Sequence, residues 1–399
     1  MKQIKEKVPR IVFDVVLVYL CLYFIKLFNF PDLLMLVLGA VLCLGLLINQ
    51  KQLRVNLGLC FITITMYSYC MVVWGIRGAV IMLTYIPILM CVLSDYLGVY
   101  IGQSEDKEKN FLKAIAMLVI GFSIHGLINS YLYFAGYNEP GRRFWMDVWT
   151  KMMTAGTHHT AYFLPVIAMF VPAIIYFKEK KWKAALTVAV VMFFSYTSLA
   201  TKSRMPILIL ALVIFVQILL YIFLEKEKSI KLFKDKRTWI VMAILLVMLM
   251  GAFFMVKDTA VIAAFIENLS EDGGILNNAR FVGQRKALSQ LFKYPLGGRQ
   301  MDLHPLKNYC HNTWLDMANA AGLIPFLAFT AYTVYSLIQL ILLTRKRTVT
   351  TELKLVATGI YVVFFLFYTV EPAIDASIHF LTPWIFLNGI VHGYLLKNK

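Results

Sequence analysis

Apolar runs of about 18 residues or more recur from one end of this chain to the other, and each is long enough to cross a bilayer as one helix. Hydropathy divides the sequence into about 12 such spans, at roughly 11–28, 31–48, 55–74, 78–101, 114–135, 157–177, 184–200, 205–224, 238–256, 316–343, 355–370 and 380–396. The expected fold is therefore an all-α polytopic membrane protein, with residues 1–399 forming a single integral membrane domain. The first run follows a basic start at Lys2, Lys5, Lys7 and Arg10 but has no small-residue cleavage site after it, so it reads as a permanent helix and not as a cleaved signal.

The formal charge of +17 invites a nucleic-acid partner, and the placement of the charges argues against one. With both termini inside, about 25 of the 39 Lys and Arg fall on the cytoplasmic side, in short clusters such as "NQKQLR", "KEKKWK" and "TRKRTVTTELK". That is the positive-inside pattern, and its partners are lipid headgroups. Cys21, Cys43, Cys60, Cys70 and Cys91 lie in or beside spans and Cys310 stands alone outside, so no disulfide framework is implied.

The opposite face is where the chain stops being generic. Its segments are the turn around Gly75, a loop from Gly136 to Lys151, the turn "TKSR" at 201–204, a long loop over 257–315, and "EPAIDASIH" at 371–379. A loop as long as 257–315 inside a compact protein is functional or disordered, and its composition is not that of disorder. Within it Phe281, Leu288, Leu291 and Phe292 fall on one helical face, with Arg285, Lys286, Ser289 and Lys293 largely on the other. This predicts a short helix along the outer membrane surface, capped by Asn277 or Asn278 and ended by "YPLGG".

Arginines on this face run against the topology rule. Arg204 sits in a hairpin between two spans, Arg280 opens the surface helix, and Arg142, Arg143, Arg285 and Arg299 add to the same side. Singly, each serves as a headgroup contact. Together, beside several histidines, they favour an anionic ligand, because the guanidinium fork makes two parallel hydrogen bonds to phosphate and keeps its charge. His158, His159, His304, His311 and His379 also collect at the outer end, whereas His125 and His392 lie in spans. His311 is distinguished by its position just before a helix beginning near Asp316, where the helix dipole and nearby arginines disfavour imidazolium and leave a neutral ring able to accept a proton. Asn312 is placed to cap that helix or to orient His311.

Stricter motifs are missing. The chain has no phosphate-binding GxxxxGK[ST], no HExxH and no CxxC, so nucleotide hydrolysis and zinc chemistry have no sequence support. A Cys310 nucleophile is disfavoured because Cys310 and His311 are adjacent, and "THHT" at 157–160 has no carboxylate near in sequence to complete a metal site. No cofactor or metal is expected.

Three stretches carry a resemblance: "NARFVGQRKALSQLFKYPLGG" followed by "CHNTWLDMANAAGLIPFLAF", "LATKSRMPILIL", and "AGTHHTAYFLP". In this order and on one face they resemble the shared segment of bacterial O-antigen ligases and O-antigen or capsular polysaccharide polymerases, over roughly residues 155–335 plus the topology. The chain departs from the family pattern at Ala320, where a Glu is frequent, and at Pro325, where a second Gly is common.

The resemblance implies a fold of the all-helical class C-like membrane glycosyltransferases, in the bacterial cytoplasmic (inner) membrane with the active site on the outer face. It implies an undecaprenyl-diphosphate-linked oligosaccharide donor and a glycan acceptor, either a lipid-linked repeat unit or a lipid core. Its essential arginines map to Arg204 and Arg280 and its His to His311. His158, His159, Arg285, Asn312 and Arg299 are the further candidates for substrate binding. The reading of the residues agrees: Arg204 and Arg280 to bind the diphosphate and stabilise its growing charge, His311 to take the acceptor's proton, and inversion at the anomeric carbon, without a metal. A polymerase is the first expectation, an O-antigen ligase the second. A lipid-linked-oligosaccharide transporter would show repeated halves and mid-membrane ionisable residues; the spans hold few charges, chiefly Asp14, Lys26 and Asp95. A non-catalytic scaffold would tolerate alanine at Arg204, Arg280 and His311.

Overall fold

The computed structural model describes residues 2–29, 37, 39, 55–75, 81–104, 106–137, 144–151, 153–176, 181–201, 203, 205–227, 279–376 and 378–396. In chain order the main elements are α1 (Lys2–Ile25), α2 (Leu57–Cys70), α3 (Ile81–Gly102), α4 (Lys107–Leu132), β1 (Phe144–Met146), β2 (Met153–Ala155), α5 (Gly156–Ala161), α6 (Leu164–Ala168) and α7 (Phe170–Tyr176). They continue with α8 (Lys181–Ala200), α9 (Met205–Leu224), α10 (Ala279–Gln290), α11 (Thr313–Ala321), α12 (Leu323–Arg345), α13 (Thr351–Val370) and α14 (Thr382–Leu395). The chain divides into two compact units: one from Met1–Leu127, Asn278–Val349 and Phe364–Lys399, the other from Ile128–Asn277 and Thr350–Val363.

Among the described residues, six helices are long and apolar enough to cross a membrane: Tyr85–Gly102, Lys107–Gly136, α8, α9, α12 and α13. Phe13–Ile25 and Leu57–Val73 are shorter apolar helices. Their outward surfaces are apolar as well: Leu208, Leu212, Phe215, Ile218, Leu219 and Phe223 of α9 are all exposed. Contiguous apolar surface on that scale belongs in lipid, not in water. The molecule is a predominantly helical chain of the membrane-embedded kind. Most of the expected span 31–48, the span 238–256, the part 257–278 of the long loop, and Arg142, Arg143, Arg204, Asn277 and Asn278 lie outside the described residues.

Two expected spans differ in the structure. The segment 157–177 is three short helices, α5, α6 and α7, because Pro165 and Pro172 remove backbone donors and crowd the preceding turn. One consequence falls on Gln217, buried in apolar α9, whose Nε2 donates to Ala168 O at 2.7 Å and Leu355 O at 3.0 Å. The expected helix 316–343 is broken at Gly322, which has φ 89° and ψ −165°, into α11 and α12.

The first unit is held by close helix contact. Gly98 and Gly102 of α3 face Gly389 and Gly393 of α14: a Cβ on Gly98 would lie 2.3 Å from Phe386 O, and one on Gly389 2.2 Å from Asp95 O. Paired Gly-x-x-x-Gly stripes let backbones approach where apolar side chains gain nothing over lipid. Asp95 is fully buried beside this contact, its Oδ2 accepting from Asn56 Nδ2 at 2.9 Å. Asp14 pairs with Lys113 at 3.6 Å. His379 is buried and stacks on Phe122 with ring centroids 5.2 Å apart, a packing role.

Candidate functional site

The surface helix expected over 280–293 forms as α10, turned differently from the expectation. Its inward side carries buried Gly283 and Ala287, continued by Leu291, and Ala287 and Leu291 join Met301, Leu303, Cys310, Leu315 and Ala318 in one buried cluster. At Gly283 the Leu306 side chain packs against the helix, its Cδ1 2.4 Å from where a Cβ would lie. Leu291 thus faces the protein, whereas Phe281, Leu288 and Phe292 are exposed. At 100° per residue Arg285 belongs to that exposed stripe, about 140° around the helix from Arg280.

α10 and α11 are joined by a loop with few conformational choices. Gly298 N donates to Ala320 O at 3.0 Å and Arg299 N to Asn319 O at 2.7 Å, and Leu323 N donates to Pro295 O at 2.9 Å across the Gly322 break. Arg299 sits with its guanidinium 5.2 Å from the Tyr309 ring. His304 is exposed, and its backbone N–H, with Lys286 behind it, holds the Asp302 carboxyl below the usual carboxylate range.

The start of α11 is built around His311. Asn312 is the N-cap, with Oδ1 accepting from Leu315 N at 3.1 Å. Asp316, in the first turn, accepts from Cys310 N at 2.6 Å and from Asn312 N at 2.9 Å, gripping the backbone on both sides of His311. From α10, Gln284 Nε2 donates to Cys310 O at 3.1 Å and His311 O at 3.2 Å. Held this way, His311 takes φ 52°, a left-handed conformation costing a non-glycine residue about 1–3 kcal/mol. Burial among apolar side chains raises the Cys310 thiol pKa, with Asp316 adding to the effect, so this cysteine is a protonated packing residue.

The imidazole then meets Glu371, a residue that no sequence motif marks. Thr313 Oγ1 donates to Glu371 O at 2.7 Å and accepts from Ala373 N at 3.1 Å, tying the start of α11 to the segment just beyond α13. The Glu371 side chain is only 4% exposed. Its Oε2 lies 3.7 Å from His311 Nδ1 and its Oε1 3.6 Å from Arg280 Nη2, while Arg280 Nη1 donates to Val370 O at 3.0 Å. Arg280 and His311, both expected site residues, are thus brought together on one buried carboxylate, each side chain about a third exposed. The expectation for His311 counted only cations and the helix end; the fold supplies an anion at Nδ1. The signal in the sequence was an acidic residue directly after an apolar run, before Pro372.

In the second unit His159 is locked. Asn129 Oδ1 accepts from Val148 N at 2.8 Å, which turns its amide toward His159 Nδ1 at 3.0 Å. The ring proton therefore lies on Nε2, 3.2 Å from Trp145 O, and the ring stacks on Trp145. Both ring nitrogens of His159 are thus engaged within the fold. His158 is half-buried on the same short helix. Ser203, which precedes Arg204 in sequence, accepts at Oγ from Thr201 Oγ1 at 3.1 Å. Arg285 lies on the outward stripe, and Arg299 has its guanidinium over the Tyr309 ring.

Neither models of known protein families nor curated proteins give a match to this chain. The resemblance rests on its three motifs.

Proposed function

We propose that this chain is a membrane glycosyltransferase that joins undecaprenyl-diphosphate-linked oligosaccharide repeat units at the outer face of the bacterial cytoplasmic membrane. Topologically it is a multi-pass protein of about 12 spans with both termini cytoplasmic. The observation that carries the reading is the meeting of Arg280 and His311 on buried Glu371, at a strained backbone position. Strain of this kind is kept where a side chain must be aimed.

In the proposed reaction an acceptor hydroxyl attacks the anomeric carbon of the donor. The bond from that carbon to the diphosphate breaks, and the diphosphate leaves with the electron pair. Glu371 Oε2 stands 3.7 Å from Nδ1 of His311, so in the proposed reaction the ring proton sits on Nδ1, Nε2 is the nitrogen that takes the hydroxyl proton, and the carboxylate stabilises the imidazolium that results. Arg280 stabilises the charge growing on the leaving diphosphate, a role that the resemblance also gives to Arg204. One displacement gives inversion. A polymerase is preferred over a ligase because such enzymes accompany many kinds of surface polysaccharide, whereas a ligase requires a lipid A-core acceptor.

The test uses purified protein, a lipid-diphosphate-linked repeat unit and no added acceptor. The polymerase reading predicts a ladder of lengthening products that disappears in His311→Ala. Donor consumed only when a core lipid is added would make the chain a ligase, and donor unchanged under both conditions would end the glycosyltransferase reading.

A further inference from the structure

The outward side of α10 carries an exposed apolar stripe. Phe281, Leu288, Phe292 and Leu296 are 47%, 57%, 85% and 81% exposed, although smaller residues of the same segment are buried. Exposed Arg285 lies within the stripe, and Lys293 stands at its end with its ammonium 5.2 Å from the Tyr294 ring. Large apolar side chains with interspersed cations mark a helix that lies in a membrane interface, where rings and leucines enter the acyl boundary and long basic side chains reach the phosphates.

The backbone sets the depth of this surface. Leu323 N donates to Pro295 O, so Leu296 is fixed beside the first residue of α12, a helix long enough to span a bilayer. The outward residues of that first turn, Ile324 and Leu327, are themselves 62% and 58% exposed. The stripe therefore ends where a lipid-facing surface begins.

We infer that α10 and the turn after it rest in the bilayer leaflet on the side where α12 begins. Phe281, Leu288, Phe292 and Leu296 lie among the upper acyl carbons, with Arg285 paired to anionic headgroup phosphate. This assigns Arg285 to lipid and not to substrate. It also holds Arg280, on the other side of the helix, at headgroup depth. The inference stands on exposure, charge and the tie to α12, and is independent of the proposed reaction.

The test is a depth measurement on the full chain in liposomes containing anionic phospholipid. Spin labels are placed through a genetically encoded handle at 281, 288, 292 and 296, with exposed Lys307 as the aqueous reference. Relaxation by oxygen should exceed relaxation by a water-soluble nickel chelate at all four positions, and the order should reverse at Lys307. Nickel dominating at the four positions would overturn the inference, and so would exclusion of both reagents, which would mean that protein covers the stripe. Hydroxyl-radical footprinting of the unsubstituted protein checks the result without any variant: in liposomes Phe292 and Leu296 should stay unmodified while His304 is oxidised. Oxidation of all three would likewise overturn it.

Discussion

Replacing Glu371 by Gln removes one charge and almost no volume, and the structure sets the size of the effect. At 3.6 Å, a carboxylate and a guanidinium attract by about 4–5 kcal/mol at an effective dielectric constant near 20. Desolvation of a carboxylate this deeply buried cancels much of that, and the one-third exposure of Arg280 screens more. Glutamine retains one acceptor but turns an NH2 toward either Arg280 or His311, placing donor against donor. The cost of one badly satisfied buried polar group is about 1–3 kcal/mol, small enough for the protein to stay folded. Catalysis should suffer far more, because general base action is worth about 10²–10⁴-fold and depends on tautomer and orientation. Turnover of a lipid-linked donor by Glu371→Gln is therefore expected to fall by about 10²-fold or more, with a melting temperature lowered by only a few degrees and partial recovery in Glu371→Asp. Turnover within a few-fold of wild type would refute the argument. So would a loss of activity that only tracks unfolding, which would make the cluster a structural tie.

Other outcomes follow from the same structure. His311→Gly should abolish turnover while the melting temperature holds or rises, since glycine adopts φ 52° without strain; a thermal scan beside the activity assay checks both halves. Gly322→Ala should cost roughly 3 kcal/mol or more by denaturation, because its Cβ would lie 2.2 Å from Pro295 O at a backbone angle that disfavours any side chain. For Cys310 the raised thiol pKa means that thiolate, the reactive form, is still scarce at pH values where an ordinary cysteine ionises. Alkylation followed by mass spectrometry at pH 8–9 should spare it in the folded protein and reach it after denaturation. Turnover should survive a strong chelator, and its loss, restored by adding back a divalent cation, would sink the metal-free scheme.

Much of this was legible in the sequence wherever local chemistry decides. Length and hydropathy pointed to membrane helices, Asn312 to a cap, and the 280–293 pattern to a surface helix. Where long-range contact decides, the sequence misled or was silent. The prolines at 165 and 172 were visible, yet the apolar run around them outweighed their backbone effect in the span assignment. Gly322 looked like one glycine in a helix until Pro295 O came to Leu323 N. The face assigned to Leu291 and Arg285 depended on what α10 packs against, which periodicity alone cannot give. The Gly-x-x-x-Gly pairs at 98/102 and 389/393 were readable and overlooked. Glu371 became a site residue only because α13 delivers it to His311 from far along the chain.

The measurement that bears most directly on the central claim is a double-mutant cycle in turnover rate between Glu371→Gln and His311→Ala. If Glu371 acts through His311, the double variant should be no slower than His311→Ala alone. Losses that multiply across the two sites would show two independent contributions and contradict the account.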